Sequence, residues 1–450
     1  MASGNGRVER MEGYDVVIAG AGTTACVLAK ELALKGKKVV VLDIGDDSRR
    51  FLGSTLSTLS TKHKLGTTFS PSRTKEGDTL MLPIGLGGGS KTYAGLSTSP
   101  DYDWWRSWGV DLEPYREWAE KESWVSPVPP EFMSEGELYF AEAADKAGFP
   151  MSVSRKHIKF DRCKPKGCQS CSFGCPNEAR WDATYAGWDA MKLGAKFVWK
   201  VRVEEPILEN GKAVGFRGKK EDGSVVEARG KVAVGCAGGY GNVAIARKAG
   251  LKDAGTTFAG DASIITWGLV PKGQKGNLVD HPMVHTMHYE PTRTHFGSCM
   301  MTRLGFLGAN VMKYGIGMAK YALFDYDRIL FAYAKTKDDG EGYVYDDGSM
   351  SKTYTERDRH QLEFAKETNR KILLAGKCDP NKIFDYIIML AHPSATVPIG
   401  TCVDTHLEAK GVPNLYFCDS SVFPESIGSP TVLTLVHLAK YEAEYLATVV

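Results

Sequence analysis

The chain has 450 residues, of which 43% are hydrophobic and 24% charged, and its formal net charge is +2. This is the composition of an ordinary globular protein of two or three domains, and its charge gives no indication of nucleic-acid or membrane-surface binding. No apolar run approaches the roughly eighteen residues of a membrane span, and the N-terminal segment lacks an apolar signal core. We therefore expect a cytoplasmic protein.

The chain opens with an alternation of strand and helix. Residues 14–20 (YDVVIAG) form a short apolar run, residues 23–35 have helical spacing, and residues 38–43 (KVVVLD) form a second apolar run. Together they predict a βαβ unit. Further helices are predicted at 102–124, 135–148, 183–194, 242–249, 361–374 and 431–448, and strands within 197–239 and at 415–419. Residues 260–361 show no clear periodicity.

The turn between the first strand and the first helix carries a G-x-G-x-x-A pattern, which is typical of dinucleotide binding. The helix start offers free N–H groups to a pyrophosphate. Asp43, about twenty residues further on at the end of the second strand, is placed to accept from ribose hydroxyls and disfavours NADP. The pattern does not separate FAD from NAD, and a glycine turn without a ligand is the alternative. The predicted residues are Gly20, Gly22, Thr23, Thr24, Ala25 and Asp43.

Four of the ten cysteines lie within thirteen positions and end in Cys-Pro. Four thiolates on short, glycine-containing spacers are typical of an iron–sulfur cluster, whereas structural zinc usually takes two separated Cys-x2-Cys pairs. We expect a [4Fe-4S] cluster, with a [3Fe-4S] cluster, zinc, or free or disulfide-bonded cysteines as alternatives. The predicted ligands are Cys163, Cys168, Cys171 and Cys175.

Several segments together resemble the glucose-methanol-choline (GMC) oxidoreductases, and within them the subgroup with a cysteine-rich insert that includes long-chain alcohol oxidases. These segments are 85–95 (GLGGGSKTYAG), 183–194 (ATYAGWDAMKLG), 203–215 (VEEPILENGKAVG), 236–250, 277–282 (NLVDHP) and 392–446.

The resemblance implies an α/β fold with a Rossmann-like FAD-binding domain and a second α+β substrate domain built on an antiparallel sheet. We assign residues 1–100, 195–285 and 385–450 to the FAD-binding domain, 101–160 and 286–384 to the substrate domain, and 161–180 to an iron–sulfur loop.

The resemblance also implies FAD as cofactor. A glycine loop would lie against the flavin, and the start of the last helix would point at the flavin pyrimidine, where its dipole favours negative charge. The implied FAD-binding residues, beyond those at the first turn, are Gly87, Gly88, Gly89, Ser90, Val203, Ala237, Gly238, Asp419, Thr431 and Val432.

His392 in AHPSATVPIGT matches the histidine that these families place over the flavin. Imidazole has a near-neutral pKa and suits removal of a hydroxyl proton, although a histidine that satisfies local backbone is the alternative. The start of the last helix lacks the histidine or asparagine usual in the family, which leaves Ser429 as a hydrogen-bonding candidate that cannot act as a base. Tyr93 stands where the family often has asparagine, and His281 matches an element that usually serves structure.

These features predict an FAD-dependent dehydrogenase acting on the CH–OH group of an apolar or cyclic alcohol. Hydride would pass to flavin N5 with His392 as base, and electrons would leave through the cluster to an external carrier such as ferredoxin. The basic segment 155–166 is a candidate docking surface for that carrier. The alternatives are a reductase or desaturase acting on a C=C or C=O bond with electrons entering at the cluster, and a protein that uses FAD only for structure.

Overall fold

The computed structural model describes residues 8–47, 70–164, 171–173, 175–278, 281, 283–386 and 389–450. The α-helices there are α1 (Thr23–Leu34), α2 (Tyr102–Ser107), α3 (Arg116–Glu122), α4 (Glu135–Lys146), α5 (Thr184–Lys192), α6 (Gly238–Lys248), α7 (Arg303–Tyr314), α8 (Ala319–Phe324), α9 (Glu356–Ala375) and α10 (Val432–Val449).

The strands of the same residues are β1 (Val8–Ala19), β2 (Val39–Leu42), β3 (Ser70–Arg73), β4 (Thr79–Leu82), β5 (Leu96–Ser97), β6 (Val125–Pro127), β7 (Ser152–Val153), β8 (Arg155–His157), β9 (Lys196–Val198), β10 (Val201–Glu209), β11 (Lys212–Lys220), β12 (Val225–Gly235), β13 (Ala262–Leu269), β14 (His285–Tyr289), β15 (Thr294–Ser298), β16 (Ile329–Thr336), β17 (Gly342–Val344), β18 (Met350–Lys352), β19 (Ile383–Asp385), β20 (Met389–Leu390) and β21 (Leu415–Phe417).

The first sheet has the order β10-β11-β12-β1-β2-β9, and β21 joins the end of β12. Strands β12, β1, β2 and β9 run parallel, whereas β10 and β11 form an antiparallel extension. The last four residues of β1 and all of β2 are buried apolar residues, as expected for parallel strands with both faces covered. The predicted Rossmann-like βαβ unit is thereby confirmed.

The second sheet has the order β3-β4-β20-β13-β16-β15-β14-β7, and β19 also pairs with β13. Its pairs are antiparallel except for β20 with β4. Its central strands β13 and β16 are buried along their full length. This sheet confirms the predicted second, antiparallel layer.

The division into domains stays a prediction. Strands β3, β4 and β13 fall in ranges that we assigned to the FAD-binding domain, yet they hydrogen-bond into the second sheet.

Most predicted helices are present with shifted ends. The helix predicted at 102–124 is wrong as a single element, because the chain breaks after α2 at Gly109, which has φ +81°, and Pro114 begins a new turn before α3. Helix α6 begins at Gly238, four residues before its predicted start, since the glycines belong to its first turn. Over the described ranges, no helix combines the length and apolar character needed to cross a membrane.

Candidate active site

The turn between β1 and α1 has the conformation that a dinucleotide fold requires. Gly20 has φ +100°, and a Cβ there would lie 2.3 Å from the carbonyl oxygen of Cys236, so only glycine fits. Helix α1 starts at Thr23 without a side-chain cap and without an acidic residue in its first turn. Its first N–H groups therefore remain available to an anion.

The predicted glycine loop lies directly on this turn. The Gly87 N–H donates to the carbonyl of Ala21 at 2.8 Å, and a Cβ on Gly88 would lie 2.9 Å from Gly22 Cα. A Cβ on Gly89 would meet nothing within 4 Å, so the loop presents open space on this side. The two glycine segments thus border one cleft, which fits the approach of a dinucleotide.

The loop is held from behind by side chains. Ser90 Oγ donates to the Gly87 carbonyl at 2.6 Å and accepts from the Ala183 N–H at 2.9 Å. The guanidinium of Arg180, which we did not predict, donates to the carbonyls of Ser90 and Lys91 at 2.7 and 2.8 Å. The Ser90 hydroxyl therefore orders the loop through these two hydrogen bonds.

Asp43 fixes the turn at the end of β2. Its carboxylate accepts from the N–H groups of Ala21 and Gly45, each at 2.7 Å. Burial raises the pKa of Asp43, because desolvation penalises the charged form, while these two bonds oppose the rise. A carboxylate has about four lone-pair sites, so two remain for ribose hydroxyls.

Asp419 fixes the turn that follows β12, as Asp43 fixes the turn at the end of β2. Its Oδ2 accepts from the Gly238 N–H at 2.6 Å and from Asn242 Nδ2 at 2.9 Å, and the Asn242 amide oxygen accepts from the Ala237 N–H at 3.0 Å. The predicted residues Ala237, Gly238 and Asp419 therefore form one turn. Asn242 was missed, since a polar residue in the second turn of a helix is no signal by itself.

The remaining predicted cofactor residues lie on two other elements. Val203 is half-buried on β10, opposite Gly218 of β11. Thr431 and Val432 are buried at the start of α10, which has neither a side-chain cap nor an acidic residue in its first turn. The free amide groups of that helix end fit the predicted anion-stabilising role.

His392 is oriented by two charged groups. Its Nδ1 lies 2.9 Å from Asp261 Oδ2 and 3.2 Å from Lys335 Nζ. The Asp261 carboxylate can only accept and makes the shorter contact, so it favours a proton on Nδ1 and a lone pair on Nε2, and the Lys335 ammonium is then a neighbouring charge and not a hydrogen-bond donor to Nδ1. Nε2 has no hydrogen-bond partner among the described residues. Burial lowers the pKa of His392 and the Lys335 charge lowers it further, while Asp261 raises it.

Asp261 links this histidine to the start of the last helix. Its Oδ1 accepts from the Ser426 hydroxyl and, at 3.2 Å, from the Gly428 N–H. Ser429 follows immediately and is half-buried, and its hydroxyl makes no hydrogen bond within the described chain. The backbone N–H of Gly428, next to Ser429, thus contacts Asp261, which is the hydrogen-bond partner of His392.

The His392 segment is also packed on the glycine turn of α6. A Cβ on Gly239 would lie 1.9 Å from the carbonyl oxygen of Pro393, and Thr396 Oγ1 donates to the Gly239 carbonyl at 2.8 Å. The candidate base therefore lies next to the turn at Ala237 and Gly238.

Two family models with the description GMC oxidoreductase match the chain, one over residues 14–283 and the other over residues 348–439. The chain belongs to the GMC oxidoreductase family. FAD is the cofactor expected for this family, so the prediction of an FAD-dependent oxidoreductase is confirmed.

Two relatives, each an uncharacterized GMC-type oxidoreductase from a strain of Mycobacterium tuberculosis, are 26% identical to this GMC oxidoreductase over 260 residues. The match covers 53% of this chain but only 39% of each relative. The crystal structure of pyridoxine 4-oxidase from Mesorbium loti superposes with a TM-score of 0.70 at 15% identity, covering 96% of this chain and 99% of that one. That likeness shows a shared fold.

In this GMC oxidoreductase, Asp261 and Lys335 are the two residues in contact with the candidate base that the sequence did not predict. Both lie in the stretch without clear periodicity. A signal was nonetheless present for Lys335, since it ends the run ILFAYA, and a lysine in a buried strand needs a partner.

The predicted cluster ligands are only partly within the described residues, because Cys168 lies outside them. Cys163 Sγ is 3.3 Å from His281 Nε2, and Cys171 Sγ is 3.9 Å from His281 Nδ1. Cys175 Sγ accepts from the Ala179 N–H at 3.3 Å. Within the described ranges, no group of three or more His, Cys, Asp or Glu side chains is placed to hold a metal ion. Those residues alone therefore do not form the predicted cluster site.

Proposed function

We propose that this chain oxidises the CH–OH group of an apolar or cyclic alcohol, with His392 as the base. The observation that carries the proposal is a histidine whose Nε2 is free to accept a proton and whose segment packs on the turn at Ala237–Gly239. Bound FAD would supply the hydride acceptor at its N5 atom.

The chain's own residues divide the remaining tasks. Asp261 keeps the proton on Nδ1 of His392, so that Nε2 can take the proton of the substrate hydroxyl. Lys335 places a positive charge beside the ring and helps to keep it neutral before the reaction. Ser429, which follows the Gly428 N–H that donates to Asp261, would donate a hydrogen bond to the substrate.

The FAD-binding residues would come from seven segments of the chain. Most of these residues offer free amides, a buried carboxylate or a close glycine contact, and Val203 is a half-buried strand residue. The proposed FAD-binding residues are Gly20, Gly22, Thr23, Thr24, Ala25 and Asp43, then Gly87, Gly88, Gly89 and Ser90, then Val203, then Ala237 and Gly238, and finally Asp419, Thr431 and Val432.

Anaerobic stopped-flow absorption tests the proposed oxidation. The holoprotein is mixed with cyclic and aliphatic alcohols, and we expect bleaching of the flavin band by at least one of them. The matched control is His392→Asn, which should bind FAD but bleach far more slowly. A flavin that no alcohol bleaches would contradict the proposed oxidation.

We also propose, from the spacing of the four cysteines, that the loop binds a [4Fe-4S] cluster, or a [3Fe-4S] form of it. The support from the structure is that Cys163 and Cys171 gather at one histidine and that Cys175 receives a backbone amide. Such a cluster would supply one-electron chemistry toward a carrier such as ferredoxin. Iron and sulfide analysis of anaerobically purified protein tests this, with Cys175→Ser as the variant expected to lose iron, and iron-free wild-type protein would contradict it.

A reductase acting on a C=C or C=O bond is a second candidate. It is favoured by the absence of a histidine or asparagine between residues 427 and 434, where the family usually has one. Reoxidation of chemically reduced flavin by a cyclic enone, in protein that no alcohol bleaches, would support it.

A further inference from the structure

A row of polar side chains crosses the second sheet and ends at the candidate base. His288 on β14 pairs with His295 on β15, His295 pairs with Lys335 on β16, and Lys335 pairs with Ser263 on β13. Directly opposite residues of antiparallel strands project from the same face. Lys335 then reaches His392. The row thus leads from an exposed histidine to the active site.

His295 is the member of this row whose surroundings are incomplete. Its side chain is 4% exposed, and neither ring nitrogen has a hydrogen-bond partner in the described part of the chain. Other buried histidines use at least one nitrogen, as His157 does with a backbone carbonyl and His285 with a carboxylate. Because buried polar groups are normally paired, a ring without any partner beside a catalytic group indicates that a ligand supplies the partner.

The surroundings of His295 indicate which chemical groups that ligand carries. Burial lowers the pKa of His295 to about 3, and the Lys335 charge lowers it further, so the ring is neutral at pH 7 with one donor and one acceptor nitrogen. The buried ring of Tyr333 lies 6.4 Å away, measured between ring centroids, and gives the position an aromatic wall. A hydroxyl or carbonyl group on a cyclic skeleton matches both features.

We infer that His295 binds a second polar group of the substrate while His392 takes the proton from the reacting hydroxyl. This inference rests on the proposed alcohol oxidation and narrows its substrates to cyclic alcohols that carry a second hydroxyl or carbonyl group.

The stability of two matched holoprotein variants tests whether His295 is structural. His157 is equally buried but donates from its Nδ1 side to the Ser123 carbonyl at 2.9 Å. We expect His157→Phe to lower Tm, whereas His295→Phe leaves Tm unchanged or raises it, because no protein hydrogen bond is lost. A Tm loss in His295→Phe equal to that in His157→Phe would overturn the inference.

Binding of two probes tests the contact itself. Benzyl alcohol and 4-hydroxybenzyl alcohol differ by one hydroxyl, and perturbation of the flavin absorption band gives their Kd values. We expect wild-type protein to bind the hydroxylated probe about tenfold more tightly, and His295→Phe to bind both probes equally. Equal Kd values in the wild type, or a preference that persists in the variant, would overturn the inference.

The two proposals fail in different ways. If wild-type protein shows the binding preference and neither probe nor any other alcohol bleaches the flavin, the oxidation is wrong and the His295 contact stands. If alcohols bleach the flavin and the preference is missing, only the His295 contact is wrong.

Discussion

The contact between His392 Nδ1 and Asp261 determines which ring nitrogen of His392 can accept a proton from the substrate. The Asp261 carboxylate, 2.9 Å from Nδ1, favours the tautomer with its proton on Nδ1, and in that tautomer Nε2 is the basic atom. Asp261 can hold this position because its other oxygen accepts from Ser426 and Gly428. Its pKa lies below the ordinary value, since its hydrogen bonds and the neighbouring charges outweigh desolvation.

Replacing His392 should remove the base and leave the cofactor site. For His392→Asn we expect kcat/KM for a responsive alcohol to fall by about 10²- to 10⁴-fold, because proton transfer by a positioned group contributes about that much. FAD content should match the wild type, as measured from absorbance after gel filtration. A kcat/KM within a few-fold of wild type would show that another group is the base.

Removing the charge of Lys335 should shift the pH profile. The ammonium lowers the pKa of His392, so in Lys335→Met that pKa rises and the base is protonated at higher pH. We expect the acidic limb of the kcat/KM profile to move to higher pH. Lys335→Arg keeps the charge and should restore the wild-type limb, whereas an unmoved limb in Lys335→Met would show that the two groups do not interact.

At the scale of elements, the β1–α1 turn needs glycine at Gly20 mainly because the carbonyl of Cys236 lies too close for a Cβ, and less because of the positive φ. Gly20 and Gly36 both have positive φ, but only Gly20 faces a neighbouring carbonyl at a distance that forbids a Cβ. Both glycines flank helix α1. Substituting each by alanine therefore distinguishes the cost of a positive φ, present at both positions, from the cost of a steric clash, present only at Gly20.

We expect Gly36→Ala to cost about 1 kcal/mol of unfolding free energy with FAD content unchanged. Gly20→Ala should cost more and should lose FAD, because its Cβ would displace the β12 end at Cys236. Urea unfolding and FAD content measured on both variants check this. Equal losses in the two variants would mean that φ strain alone explains the effect.

The elements that could be predicted are those whose signal is local. Strand β1, helix α1 and strand β2 follow one another within about thirty-five residues, and their spacing and glycines identify them. Strands β13 and β16 are buried on both faces, so they lack the alternation that marks a strand. Their register joins Ser263 to Lys335, and no local pattern encodes a contact over that separation.

At the scale of the whole molecule, the active site lies where distant segments meet. The residue before β13, the end of β16, the segment after β20 and the turn before α10 each contribute one group. Only His392 among these could be predicted, since it lies in a motif that resembles the family. Asp261 and Lys335 become functional through long-range pairing, so the sequence shows their residue types but not their proximity.

The buried neutral histidines predict how stability depends on pH. Burial lowers the pKa of His157 and of His295 to about 3, whereas histidines in an unfolded chain have a pKa of about 6.5. The unfolded state therefore binds more protons between these values, and the unfolding free energy falls as pH falls below about 6.5. Each histidine should cost about 2 kcal/mol of stability at pH 5 relative to pH 7.

Replacing one of these histidines should reduce the loss of unfolding free energy between pH 7 and pH 5 by the amount which that histidine contributes. His157→Asn keeps a donor for the Ser123 carbonyl and removes a titrating ring. Urea unfolding at pH 7 and pH 5 should show the variant losing about 2 kcal/mol less than the wild type between the two pH values. Carboxylates such as Asp261 change the unfolding free energy by the same amount in both proteins, so their contribution cancels when the variant is compared with the wild type. If the two proteins lost the same stability on acidification, His157 would have to be protonated in the folded state, which its burial opposes.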